Sequence, residues 1–85
     1  MESINIQDKT ILIPKDIATD YKASCIHIIK SYFKKCTIDD VETLRGMIIT
    51  NYEDGIVYYL RTWNITETPK KIKVLYSLNK FYSDV

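Results

Sequence analysis

The sequence predicts an α+β fold: a three- to four-stranded antiparallel sheet with a long helix and a short second helix packed on one face, in the order β-α-α-β-β-β. Three observations predict it. Apolar residues recur with a period of about 3.6 from residue 15 to 36, as they do on one face of an amphipathic helix. The dipeptide Asp54-Gly55 separates two β-rich runs, which is a strong hairpin signal. Residues 71–78 alternate between polar and apolar side chains, which is typical of a strand.

Length and composition limit the class of protein. A chain of 85 residues predicts one small globular domain, 1–85, and 46% apolar residues with a net charge of +1 exclude a disordered chain. No apolar run approaches the roughly 20 residues of a membrane-spanning helix. The first residues lack the apolar segment of a signal peptide. We therefore expect a cytoplasmic protein with no membrane partner.

Residue usage indicates the kind of genome. Ile occurs 14 times and Lys 10 times, whereas Gly and Pro occur twice each, so the coding sequence is AT-rich. Many phages, large viruses and low-GC bacteria have such genomes. Together with the small size, this composition fits a phage- or virus-encoded accessory protein that acts on a host factor in the host cytoplasm.

The first element is an edge strand, or a hairpin with its turn at Asp8-Lys9, within residues 3–13. Isoleucines alternate with polar residues at its start. Pro14 ends this strand and suits the first turn of the helix that follows, because proline lacks a backbone donor.

The long helix is predicted from about residue 15 to 36. Its buried stripe falls within an arc of about 120° and comprises Ile17, Ala18, Tyr21, Cys25, Ile28, Ile29, Tyr32 and Cys36. Cys25 and Cys36 would lie roughly 16 Å apart along this helix, too far for a disulfide. The spacing of Thr37 and Asp40 resembles a capping box. We therefore predict a short second helix from about Ile38 to Arg45.

The hairpin spans residues 47–63. A two-residue loop at Asp54-Gly55 would pair Ile49 with Leu60. Both faces of this hairpin are apolar. One face is expected to pack against the helix. The other face is expected either to be covered by another part of the structure or to expose its aromatic residues. A third strand follows at 71–78, while the last ten residues fit either strand or helix.

Motifs for catalysis and cofactors are not found. Two glycines are too few for a phosphate-binding loop, and a single histidine, His27, with no C-x-x-C offers too few zinc ligands. The acidic residues Asp39, Asp40 and Glu42 fit a role at a helix start. We therefore expect no catalytic residue, no metal, no cofactor and no small-molecule substrate, and we predict that the protein is not an enzyme.

Basic and aromatic residues interleave in the C-terminal half, and they are the candidate binding residues. Tyrosine and tryptophan are enriched in protein-binding hot spots, which predicts a regulatory protein that binds a protein partner or self-associates. Lysines beside flat aromatic rings also hold single-stranded nucleic acid, so RNA or single-stranded DNA is the alternative partner. The candidates are Tyr59, Arg61, Trp63, Lys70, Lys71, Lys73 and Tyr76.

One enzyme class shares the predicted order of elements. Leu44-Arg45-Gly46 leads into a hairpin with Glu53-Asp54-Gly55, and this arrangement is loosely similar to the small ribonuclease toxins of bacterial toxin–antitoxin systems. Those toxins cleave RNA with Lys, Arg and Tyr side chains. The resemblance implies that RNA cleavage here would use Arg61, Lys71, Lys73 and Tyr76. The toxins are markedly basic, whereas this chain carries a net charge of +1.

Overall fold

The computed structural model describes residues 4–41 and 46–81. Within them the chain forms one helix and five strands, in the order β-α-β-β-β-β. They are β1 (Ile6–Pro14), α1 (Tyr21–Tyr32), β2 (Cys36–Val41), β3 (Gly46–Asn51), β4 (Val57–Glu67) and β5 (Lys71–Lys80).

All five strands form one antiparallel sheet in the order β1-β5-β4-β3-β2. Strands β2 to β5 follow one another as a meander, and β1 pairs with β5. The helix therefore carries the chain from one edge of the sheet to the other. It contacts β4, the middle strand. No helix in the described ranges is long and apolar enough to cross a membrane.

The helix is shorter than the 15–36 that the periodicity predicts. It begins at Tyr21, where the Asp20 carboxylate accepts a hydrogen bond from the Ala23 N–H at 2.7 Å and caps the first turn. Before the helix, the Pro14 carbonyl accepts hydrogen bonds from the Ile17 and Ala18 N–H groups and so closes a separate turn. The helix ends at Tyr32 because Phe33 is extended, and the Phe33 ring packs against Tyr58 at 5.0 Å between ring centroids.

The predicted second helix is wrong. Cys36–Val41 is strand β2, paired residue by residue with β3, and residues 42–45 lie outside the described ranges. Along β2, Cys36 and Ile38 are half-buried while Thr37 and Asp39 are exposed, which is the two-residue alternation of a strand. Pairing with β3 outweighs the local capping signal. Residues 4–41 and 46–81 therefore form one helix and five strands, whereas the sequence predicted two helices on a sheet of three or four strands.

The predicted two-residue loop at Asp54-Gly55 is replaced by a four-residue loop, residues 52–55, which the hydrogen bond from the Asn51 N–H to the Ile56 carbonyl closes at 3.0 Å. The type I′ turn needs positive φ at both central residues, and only Gly55, at +71°, has it. The Asp54 carboxylate instead accepts hydrogen bonds from the Ile56 N–H at 2.8 Å and the Tyr58 hydroxyl at 3.0 Å. Ile49 consequently pairs with Tyr58. This two-residue shift keeps every side chain on its predicted face.

The core lies between α1 and one face of the sheet. The helix contributes the fully buried Cys25, Ile28 and Ile29. The sheet contributes large side chains from alternate positions on four strands: Ile13, Met47, Ile49, Tyr58, Leu60, Ile72, Val74, Tyr76 and Leu78. Neither cysteine forms a disulfide within the described residues, and Cys36 begins β2 instead of ending the helix. The helical spacing is therefore the wrong reason for excluding a disulfide.

Candidate functional site

The sheet has a second face, which points away from α1, and we call it the open face. The helix packs on the opposite face, and within ranges 4–41 and 46–81 the start of β1 reaches the open face at Ser77, which accepts a hydrogen bond from the Asp8 N–H and donates one to the Gln7 side chain. Because side chains alternate along a strand, the register assigns to the open face Thr10, Leu12, Thr37, Asp39, Ile48, Thr50, Val57, Tyr59, Arg61, Trp63, Lys71, Lys73, Leu75, Ser77 and Asn79.

Trp63 and Arg61 form a cation–π pair near the middle of the open face. The Arg61 guanidinium carbon lies 5.2 Å from the centroid of the Trp63 ring. Such a pair contributes about 0.5–1 kcal/mol where it is exposed to water. Leu75 lies directly opposite Trp63 on β5. The indole therefore lies between a cation and an aliphatic neighbour.

Tyr59 forms a second aromatic contact on the same face. Its ring stacks on Phe81 with centroids 5.9 Å apart and planes 15° apart. It also extends over Gly46, where an added Cβ would lie 2.8 Å from the tyrosine hydroxyl oxygen. Burial raises the pKa of Tyr59, and the nearby Arg61 charge partly opposes that rise. Glycine at position 46 thus lets the ring lie flat across two strands.

Charge is divided between the two sides of the open face. Arg61, Lys71 and Lys73 are exposed, and no open-face position of β4 or β5 carries a carboxylate. Asp39, on the far edge strand β2, supplies a negative charge. The β4–β5 half is therefore basic, and it combines this charge with aromatic and aliphatic surface.

The sequence-derived candidates divide into three groups. Five of them share the open face, namely Tyr59, Arg61, Trp63, Lys71 and Lys73. Lys70 lies instead in the turn between β4 and β5, where its carbonyl accepts a hydrogen bond from the Lys15 N–H at 3.1 Å.

Tyr76 is in the core, 1% exposed, and its hydroxyl is hydrogen-bonded to that of Tyr32. Burial, and then this hydrogen bond, raise the pKa of Tyr76. Tyr76 therefore lies on the opposite face from Arg61, Lys71 and Lys73. The structure does not bring together the set that the ribonuclease resemblance implied, and the two-helix order behind that resemblance is absent from the described residues.

Five apolar members of this surface were not among the sequence-derived candidates: Leu12, Ile48, Val57, Leu75 and Phe81. Strand alternation would have included Leu75, because it follows Lys71 and Lys73 at the same two-residue spacing. It also places Ile48 on the same hairpin face as Tyr59. Leu12 and Phe81 depend on the pairing of β1 with β5 and on the packing of Tyr59, which no local pattern indicates.

A cleft of about 410 Å³ also lies beside the start of α1. Its charged side chains have partners within the chain: Asp20 caps the helix, and Lys15 pairs with Glu67 at 3.6 Å. Among the described residues, no three His, Cys, Asp or Glu side chains converge as they would around a metal ion. Comparison of the chain with protein-family models, with curated proteins and with solved structures gave no significant match.

Proposed function

We propose that this chain is a non-enzymatic binding protein that modulates a partner protein through the open face. The observation that carries the proposal is the composition of that face. Aromatic, aliphatic and cationic side chains share a surface on which the helix does not pack. Tryptophan, tyrosine and arginine are the residues most enriched in protein-binding hot spots.

The aliphatic residues favour a protein over a nucleic acid. Leu12 is 54% exposed, and Ile48 and Leu75 flank the aromatic contacts. Covering apolar surface contributes roughly 25 cal/mol per Å², and a phosphate backbone offers little apolar surface with which to cover it. The Arg61 guanidinium also occupies one side of the Trp63 ring, which leaves only the other side for a stacked base.

The charges on the face define the chemistry of the partner. Arg61, Lys71 and Lys73 surround the apolar centre without a carboxylate at the open-face positions of their two strands. A complementary surface would present an apolar patch bordered by Asp or Glu. Complementary charge would speed association and select the partner more than it would raise affinity.

Single-stranded RNA or DNA is the second candidate, and the same three cations favour it. Lysine and arginine on a sheet that also carries aromatic rings can contact phosphates while the bases stack. Binding of this kind weakens as salt rises, with a log–log slope near −0.7 for each phosphate contact on a single strand.

The only tryptophan of the chain gives a direct test. Trp63 lies on the open face, so occupancy of that face should change its fluorescence. We expect capture of a partner protein from source-cell extract to survive nuclease treatment and to be lost in Trp63→Ala. Tyr52→Ala is the matched control, because Tyr52 is an aromatic residue, 62% exposed, on the hairpin loop. Capture that nuclease abolishes, together with fluorescence quenching by an oligonucleotide, would instead establish the nucleic-acid reading.

A further inference from the structure

The outer edge of β2 is a surface separate from the open face, and within ranges 4–41 and 46–81 no strand pairs with it. The Tyr52 N–H donates to the Lys35 carbonyl at 3.0 Å, so these two residues form a hydrogen-bonded pair of the β2–β3 ladder. Hydrogen-bonded pairs alternate along an antiparallel ladder. The odd-numbered residues of β2 therefore bond to β3, and the backbone N–H and C=O groups of Cys36, Ile38 and Asp40 point outward.

The two edges of the sheet differ in how they are protected. Strand β1 has Asp8 at a φ of 49° within a register break, and it ends at Pro14. Bulges, lysine and proline are the usual means by which proteins block an edge against further pairing. Strand β2 keeps continuous register with β3 over all six residues and contains no lysine or proline. The exposed Lys34 and Lys35 directly precede it, so a strand added here must meet positive charge as well as the carboxylate within β2.

We propose that β2 pairs with β2 of a second copy of the chain, antiparallel and centred on Thr37, so that the two five-stranded sheets become continuous. Thr37 then faces Thr37 of the second copy, and such pairs are favourable across strands. On the open side, the exposed Lys35 of each copy faces the exposed Asp39 of the other. On the helix side, Cys36 of each copy faces Ile38 of the other, and both residues pack against the core.

The backbone and the charges together select this register. Because the outward-pointing backbone groups belong to even-numbered residues, two copies bond only where even-numbered residues face each other, and the two-fold axis then passes beside the same residue of each copy. An axis at Cys36 or at Ile38 would no longer set Lys35 directly opposite Asp39. An axis at Asp39 would set two carboxylates against each other, which is destabilising. An axis at Thr37 sets opposite charges together twice.

A second copy therefore supplies what the edge requires of an added strand. Any occupant in this position must place a carboxylate opposite Lys35 and a cation opposite Asp39, four residues apart and in that order. The strand β2 with the residues before it has this pattern when it is read in reverse. The overlap is short, and stable interfaces bury about 1,200–2,000 Å², more than a strand pair of this length. We therefore expect a reversible dimer whose population rises with concentration.

The first test is the mass of the intact chain in solution, measured by sedimentation equilibrium over a range of concentrations. The wild type should rise from 10.0 kDa towards twice that mass. Lys35→Glu places a carboxylate opposite Asp39, and Asp39→Lys places an ammonium opposite Lys35. Each change acts twice in a symmetric dimer, so each variant should dimerise about tenfold more weakly or worse. Lys22→Glu, the same change of charge at an exposed position of α1, should dimerise as the wild type does.

Charge exchange then tests whether the partner is a second copy in this register. A mixture of Lys35→Glu and Asp39→Lys chains sets opposite charges together at both positions, so it should form a heterodimer although neither variant pairs well with itself. The double variant Lys35→Glu/Asp39→Lys should dimerise as the wild type does. A wild type that stays monomeric at its highest soluble concentration would overturn the proposal, and so would a failure of the mixture and the double variant to recover pairing.

A disulfide tests the position of the two-fold axis. Residues that face each other in a non-hydrogen-bonded pair have Cα atoms about 4.5 Å apart, which is within the range of a disulfide. In a Cys36→Ser background, Thr37→Cys should therefore form a disulfide between chains on mild oxidation. Thr10→Cys is the matched control, because Thr10 is an exposed threonine on the other edge strand. Equal cross-linking of the two variants would overturn the register.

The dimer is independent of the open-face function, and the two can fail separately. Trp63 lies on β4, two strands away from β2, so Trp63→Ala should leave the dimerisation constant unchanged. Lys35→Glu should in turn leave capture of a partner protein through the open face unchanged. Loss of dimerisation in Trp63→Ala would place the contact between copies on the open face and overturn the edge pairing.

Discussion

On the covered face of the sheet the aromatic residues pack against α1, whereas on the open face they pack against one another and against a cation. Tyr58 is fully buried against Phe33. Its hydroxyl donates to Asp54, and thus has a partner within the chain. On the other side of the same strand, Arg61 covers Trp63. One helix therefore makes the difference between a buried core and a partly exposed face, because the strands supply apolar residues to both faces.

The largest expected effect separates the two faces by stability. Ile28 is fully buried between α1 and the sheet, so Ile28→Ala should cost about 2–5 kcal/mol of unfolding free energy. Leu75→Ala on the half-exposed open face should cost less, because part of that side chain is already in water. Lys30→Ala, at an exposed position, should stay within about 0.5 kcal/mol. Urea melts of the three variants measure this, and equal losses at Ile28 and Leu75 would contradict the comparison.

Gly46→Ala tests the packing of the open face itself. The added Cβ would lie 2.3 Å from the Leu60 carbonyl oxygen and 2.8 Å from the Tyr59 hydroxyl oxygen, so the strands or the ring must move. We expect a loss of about 1–3 kcal/mol, typical of overpacking. Gly55→Ala is the contrast: it meets open space but requires a positive φ of +71°, which costs about 1–2 kcal/mol. Unchanged thermal stability of Gly46→Ala would show that the Tyr59 contact is dispensable.

Deleting one hydroxyl measures how strongly the covered face depends on its internal hydrogen bonds. Tyr76→Phe removes the partner of the Tyr32 hydroxyl and should cost about 0.5–1.5 kcal/mol. Tyr52→Phe, on an exposed residue, should change stability by less than about 0.5 kcal/mol. Denaturant melts at neutral pH give both values, and equal effects would mean that the buried pair contributes nothing.

The same tyrosine predicts the direction of alkaline sensitivity. Burial and the Tyr32 hydroxyl raise the pKa of Tyr76, so the folded chain holds this proton more tightly than the unfolded chain does. Its contribution to stability is therefore fully present below the unfolded pKa of about 10 and is lost as the pH rises towards the raised folded value. Melting temperatures measured above pH 10 should fall more steeply for the wild type than for Tyr76→Phe. Parallel curves would contradict this assignment.

The smallest expected effect is at the hairpin loop and concerns acid. Hydrogen bonds, first from the Ile56 N–H and then from the Tyr58 hydroxyl, lower the pKa of Asp54. Because the pKa of Asp54 is lower in the folded chain, its ionised carboxylate stabilises the fold at pH values above the pKa of the unfolded chain. This stabilisation is lost as the pH falls through the pKa of the folded chain. Asp54→Ala should therefore be less stable at neutral pH and less sensitive to acid than the wild type. If the stability of the variant fell with acid as much as that of the wild type, other carboxylates would be responsible for the acid sensitivity.

Local patterns predicted much of the candidate surface and part of the fold. The alternation in 47–63 correctly separated the buried Ile49 and Leu60 from Tyr59 and Trp63, because a strand has a two-residue period whatever its partner. The same rule could have removed Tyr76 from the candidates: Lys71 and Lys73 occupy odd positions of β5, and Tyr76 occupies an even one.

Contacts distant in sequence decided the rest. Residues 36–41 carry both a capping pattern and β-branched residues, and only pairing with β3 makes them a strand. The helix ends where Phe33 turns to meet Tyr58, a residue far along the chain. The sequence by itself determined which side chains alternate along the strands and that Cys25, Ile28 and Ile29 face inward, since these follow from the local periods of strand and helix. Ile17 and Tyr21, which the same period assigned to the buried stripe, are 45% and 39% exposed, because the helix begins only at Tyr21. The tertiary structure decided the number of strands and the face that stays open, because these depend on which segments pair and where α1 lies.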